Sequence, residues 1–145
     1  MALFLGEFQH TVDQKGRLAI PAKFRDELAD GAVVTRGFDK CLVIYPRNEW
    51  EALAEKVSRL PQTQPNVRTL SRLLYSGAVD LSLDSQGRTI LPQFLREYAG
   101  IDANVAVIGL YQRIEVWCLK DWNAVKATTE AAGGSLAEQL ADLGI

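Results

Sequence analysis

Two pentapeptides hold the side chains best suited to meeting an anion. Asp13-Gln14-Lys15-Gly16-Arg17 returns as Asp84-Ser85-Gln86-Gly87-Arg88, at an offset of 71 residues. Each reads D-x-x-G-R. Asp13 and Asp84 are turn formers, because a short carboxylate bonds its own downstream backbone, and Gly16 and Gly87 accept positive φ. An Asp and an Arg four positions apart across a tight turn can face each other. One reading is therefore a clasp, in which the carboxylate holds the guanidinium. An exposed pair of that kind is worth only ~0–1 kcal/mol, which is little reason to build it twice. The other reading sends Arg17 and Arg88 outward, where their fixed fork of donors suits phosphates or the acceptor edge of guanine.

Other chemistries find less support. His10 is the single histidine, and Cys41 and Cys118 stand apart, so no metal-ligand spacing occurs and no metal is expected. His10 falls on the inward phase of its strand and reads as ordinary packing. Two reduced thiols in a cytoplasmic protein is the plain reading of the cysteines. No nucleophile motif accompanies His10 and Asp13, and neither a phosphate-binding loop nor a dinucleotide fingerprint is present, so no cofactor and no small-molecule substrate are expected. Asp and Glu are plentiful, and paired carboxylates stay open on sequence alone. Trp50, Trp117 and Trp122 read as core or subunit interface rather than a platform for stacking bases.

The elements that must position the two turns repeat with them. Alternating segments precede each turn (Phe8, His10, Val12 and Val79, Leu81, Leu83), and apolar runs ending in Pro21 and Pro92 follow. Each set reads as a hairpin: a strand over 7–12, a turn, and a returning strand over 17–20, then the same over 78–83 and 88–91. Short helices follow, 22–28 and 93–99, with Pro21 suited to a first turn. With one residue inserted, Val33 matches Val105, Gly37 matches Gly109 and Trp50 matches Trp122. The spacing predicts strands at 32–35, 42–45, 104–109 and 113–117. It predicts helices at 48–60 with Asn48 as N-cap, at 66–76 with Val67, Leu70, Leu73 and Leu74 on its apolar side, and at 120–129. Gly133-Gly134 reads as a linker, Ser135 to Glu138 as a capping box opening a last helix, and Gly144 as its stop.

A match over some forty residues at fixed offset is an internal duplication. One repeated copy, about 45 residues, could hardly bury enough apolar surface alone, so the copies should share a core. The implied class is α+β: a duplicated, barrel-like sheet of pseudo-twofold symmetry with linking helices and a C-terminal helix. The boundaries expected are a first domain at 5–52, a helical linker at 53–77, a second domain at 78–124 and a helical tail at 125–145. No stretch approaches a membrane span, and Met1 to Leu5 is too short and lacks the basic flank of a signal peptide. The formal charge is −2 and unevenly spread. From His10 to Arg25 there are Lys15, Arg17, Lys23 and Arg25 against Asp13, while 78–145 is net acidic. A polyanion would have to be met by local patches, with the first copy the more basic.

The order strand, D-x-K-G-R, L-x-I-P, then F-R-x-x-L resembles the AbrB-type swapped-hairpin DNA-binding domain. Two copies joined by two helices resemble the MraZ family of bacterial transcriptional regulators, as do Phe4-Leu5-Gly6-Glu7-Phe8 and Leu42-Val43-Ile44-Tyr45-Pro46. The resemblance covers residues 3–125. It implies an AbrB-like β-barrel of swapped hairpins. It also implies binding to short direct repeats in double-stranded promoter DNA ahead of division and cell-wall genes, usually as a repressor. A ring-shaped homo-oligomer, non-enzymatic and cytoplasmic at the nucleoid, is implied too. The family's motif maps onto Asp13/Arg17 and Asp84/Arg88. Arg17 and Lys15 are then the leading DNA contacts and Arg88 the next, since Gln86 replaces lysine beside it; Lys23 and Arg25 are backbone contacts at most. The rival is a protein-interaction module of the AbrB-like antitoxin type. The capped, Ala-rich tail argues against it, because such antitoxins wrap a toxin with an extended arm. An enzyme comes third.

Overall fold

A computed structural model describes residues 4–144. Met1, Ala2 and Leu3, which begin the apolar start, and Ile145, which ends the tail, lie outside the described residues. The first copy supplies β1 (Phe4–Thr11), β2 (Arg17–Ala19), β3 (Ala32–Arg36) and β4 (Leu42–Pro46), followed by α1 (Arg47–Ser58) and α2 (Pro65–Ser76). The second supplies β5 (Val79–Leu81), β6 (Arg88–Ile90), α3 (Gln93–Tyr98), β7 (Asn104–Tyr111) and β8 (Ile114–Cys118), followed by α4 (Leu119–Ala131) and α5 (Gly133–Gln139).

The strands form an open six-stranded antiparallel sheet, β1-β7-β8-β4-β3-β5, and a separate two-stranded ribbon, β2-β6. The order is a palindrome when each strand is exchanged for its counterpart in the other copy. The pseudo-twofold axis passes between Val43 and Glu115 in the sheet and between Leu18 and Thr89 in the ribbon, since the registers run symmetrically about both pairs.

The expected barrel does not form. The sheet keeps two edges, β1 and β5, and the ribbon joins neither. Its strands are three residues long and run into Pro21 and Pro92, which cannot donate to a ladder, so the ribbon is too short to carry one edge round to the other. The expected local hairpins are corrected as well. β1 pairs with β7 of the other copy over eight positions, and β5 pairs with β3, while β2 meets the residue after β1 in a single bridge, Val12–Leu18. Beyond β1, the Val12 N–H goes to Ala103 O at 2.7 Å, again in the other copy.

Side-chain alternation explains the layers. Leu42 and Ile44 of β4, Val105 and Val107 of β7, and Ile114 and Val116 of β8 face the ribbon. There they pack with Leu18, Ile20 and Leu91, with Phe24 and Leu95 closing the layer. Phe24 lies edge-on to both Phe4 and Phe8. On the opposite face, Val43, Ala106, Ile108 and Trp117 pack against Trp122 and Val125 of α4. Trp50 meets Tyr45 and Tyr75 there, so the tryptophans are used in packing. Val67 and Leu74 of α2 are buried and Leu70 and Leu73 half-buried. His10 is half-buried on β1, opposite Val105.

Several boundaries move. The expected helix at 22–28 is two 3-10 turns, Ala22–Phe24 and Asp26–Leu28, whereas its counterpart α3 is an α-helix. Gln93 bridges to Glu97 one turn on at 3.1 Å in α3, a support that Ala22 and Asp26 cannot give. α1 starts at Arg47, with Pro46 rather than Asn48 in the cap position. Gly133 and Gly134 are the first turn of α5, not a linker, and no side chain caps that helix. Gly144 does end the final turn, in the left-handed region at φ 81°.

Candidate nucleic-acid interface

Each D-x-x-G-R turn closes on itself in the same way. The Gly16 N–H donates to Asp13 O at 2.9 Å and the Asp13 N–H to Arg17 O at 3.0 Å. One carboxylate oxygen, Asp13 Oδ1, accepts from the Lys15 and Arg17 N–H groups, both at 2.9 Å. The other, Oδ2, takes the Arg17 Nε at 2.6 Å. At the second turn the Gln86 and Arg88 N–H groups reach Asp84 Oδ1 at 2.8 and 2.9 Å, and Arg88 Nε reaches Oδ2 at 2.9 Å. The Arg17 and Arg88 N–H groups are the first cause that holds the Asp13 and Asp84 carboxyls below their ordinary value of 3.8. The neighbouring N–H groups and the guanidinium add to this, against partial desolvation.

The turns are also locked to each other. The Ile20 N–H donates to Gly87 O at 2.9 Å and the Leu91 N–H to Gly16 O at 2.8 Å. Arg25 donates from Nε to Ile20 O at 2.8 Å, and its guanidinium lies on the Gly87 Cα. Arg96 mirrors it, donating to Leu91 O at 2.9 Å and lying against Gly16. A Cβ on Gly16 would come within 3.0 Å of Leu91 O, and one on Gly87 would collide with Arg25. Both glycines have positive φ, +81° and +75°, so each is required twice over, by backbone conformation and by the arginine above it. Arg25 is thus half-buried and engaged in holding the opposite turn. Arg96, 71 positions after Arg25 in the second copy, has the same positioning task.

The ribbon sets where Arg17 and Arg88 point. Its central residues, Leu18 and Thr89, are buried. Their neighbours Arg17, Ala19, Arg88 and Ile90 lie on the outer face. Arg17 stands opposite Ile90, and Arg88 opposite Ala19. The two arginines are therefore diagonal neighbours, with Cα atoms on the order of 7 Å apart. Their side chains are 32% and 31% exposed. Each ion pair is made through Nε, which leaves the Nη donors outside the clasp. Lys15 is exposed in the first turn and Lys23 on the 3-10 turn beyond it. In the second turn Gln86 stands at the place of Lys15, so the first turn carries one more positive charge.

On the helical face, a half-open groove is lined by both signs, Arg36, Lys56 and Arg113 with Asp39, Glu49 and Glu115. Among the described residues, no helix is long and apolar enough to cross a membrane.

Comparison with known proteins matches the chain to the family described as "MraZ protein, putative antitoxin-like", once over residues 3–73 and again over 74–142. The protein named transcriptional regulator MraZ in Roseiflexus castenholzii is 49% identical over 97% of this chain and 99% of its own length. Those of Syntrophomonas wolfei subsp. wolfei and Herpetosiphon aurantiacus are 46% and 50% identical, each over 99% of this chain and the whole of their own length. A duplicated match of this extent, with relatives alike from end to end, means that the chain belongs to the MraZ family.

Proposed function

We propose that this protein is a sequence-specific DNA-binding regulator of transcription. In this reading it represses promoters of division and cell-wall genes by binding short direct repeats as a homo-oligomeric ring, at the nucleoid. No catalytic step is involved. The name carried by its relatives supports the coarse reading. The observation that carries the finer one is the outer face of the ribbon, with Arg17 and Arg88 on one side of a locked, pseudosymmetric body.

A two-stranded ribbon fits the major groove, where a guanidinium can bond the O6 and N7 of guanine. The Asp clasp and the outward contact then work together. A carboxylate bound to Nε aligns the guanidinium, and the Nη donors meet the base or phosphate. Lys15, and Lys23 further out, add phosphate contacts. With a net charge of −2, one subunit has few of these. Affinity falls with salt at about −0.9 log units per contacted phosphate. Several subunits on adjacent repeats offset this through effective concentration, by roughly 10²–10⁴-fold.

The test is a gel shift on the protein's own promoter fragment at fixed salt. Arg17→Ala should abolish the shift with melting temperature and oligomer size unchanged, and Arg88→Ala should weaken it less. Wild-type affinity in Arg17→Ala would overturn the proposal, and an interaction module of antitoxin type would take its place.

A further inference from the structure

The pseudo-twofold axis through Leu18 and Thr89 would make the outer face of the ribbon symmetric if its residues matched in pairs. They do not. The counterpart of Ile90 is Ala19, and the counterpart of Lys15 is Gln86. Ile90 is 59% exposed, and no packing demand places a large aliphatic side chain there. It stands directly opposite Arg17 on the same face, at a cross-strand Cβ separation of about 5 Å. That is wider than the ~3.4 Å rise between neighbouring base pairs of a duplex, a difference that two flexible side chains can span.

Resting on the DNA-binding reading, we infer that Ile90 is a specificity-determining residue. It places its apolar surface on the 5-methyl group of a thymine beside the base pair that Arg17 contacts. The methyl group is the one apolar feature of the major-groove edge, and an aliphatic side chain has no other partner to read there. The Ala19 side of the ribbon is too short to make the same contact. Each subunit is thereby given a direction on DNA despite its pseudosymmetry, with Lys15, Arg17 and Ile90 at one end and Gln86, Arg88 and Ala19 at the other. A directional reader suits repeats in tandem. A symmetric one would favour inverted halves.

The experiment selects bound duplexes from a random pool with the wild-type protein, then replaces each thymine of the selected site in turn by deoxyuridine, which lacks only the methyl group. Titrations at fixed salt should find one thymine whose replacement weakens wild-type binding about fourfold, the worth of one buried carbon. Ile90→Ala should bind the thymine and deoxyuridine duplexes equally, and Ile90→Val should keep part of the difference. Because the modified duplexes test the wild-type chain, a folding defect in a variant cannot mask the result. Enrichment of a site with no methyl-sensitive position, or equal sensitivity in Ile90→Ala, would overturn the role of Ile90 and leave the regulator standing. Failure to enrich any DNA would overturn both.

Discussion

At the scale of single residues, the clasped carboxylates Asp13 and Asp84 are sensitive to acid. Their folded values lie below the ordinary 3.8, with the N–H groups of Arg17 and Arg88 as the leading cause. A carboxyl lowered on folding contributes stability that is fully present above its unfolded value and is lost as pH falls through the folded one. The Asp13→Asn/Asp84→Asn double variant should therefore melt below the wild type at pH 6, and the gap should close as pH drops below 3.8. A gap that is constant with pH would contradict this. Gly87 makes a second residue-scale case. Gly87→Ala must hold a left-handed backbone and displace Arg25, so it should cost about 1–3 kcal/mol in a urea melt. Gly16→Ala should cost less, because its neighbours stand farther off. Equal and negligible losses would contradict the bracing of each turn by the arginine of the other copy.

At the scale of elements, the ribbon is the part most open to improvement. Thr89 is buried on the axis opposite Leu18, and its Oγ1 has no hydrogen-bond partner among the described residues. An unsatisfied buried hydroxyl costs about 1–3 kcal/mol. Thr89→Val keeps the branched shape and removes the hydroxyl, so it should raise stability by about 1 kcal/mol, read as a higher urea midpoint with an unchanged slope. Lower stability would mean that the hydroxyl is satisfied. The tail has its own anchor. Glu7 of β1 accepts from Trp122 Nε1 at 2.9 Å and pairs with Lys126 Nζ at 2.8 Å, which ties α4 to an edge strand.

At the scale of the whole molecule, charge and symmetry set the terms of binding. The two turns sit on a body locked through reciprocal strand exchange, β1 with β7 and β5 with β3, so neither can move far without unzipping a strand of the other copy. On the proposed reading, this rigidity would present both arginines to DNA without further ordering, which lowers the cost of association. On the same reading, a mildly acidic subunit would need company on a polyanion. Light scattering at micromolar concentration should report an assembly larger than a dimer. A monomer that nonetheless binds a single repeat tightly would contradict the need for multivalency.

The duplication, the two turns and their glycines were legible from residue types alone, because D-x-x-G-R chemistry is local and a repeated spacing survives without knowledge of contacts. The strands and linking helices were legible for the same reason, through periodicity. Long-range pairing was not. Period-2 alternation names a buried face but not a partner, so Phe8, His10 and Val12 read equally well as half of a local hairpin and as a strand lent to the other copy. The open sheet, Arg25 and Arg96 reaching across the axis, and Ile90 beside Arg17 all follow from which strand meets which. That choice is made by burial of the shared core around Leu18, Ile44 and Ile114, a free energy that belongs to the assembled chain and to no segment of it.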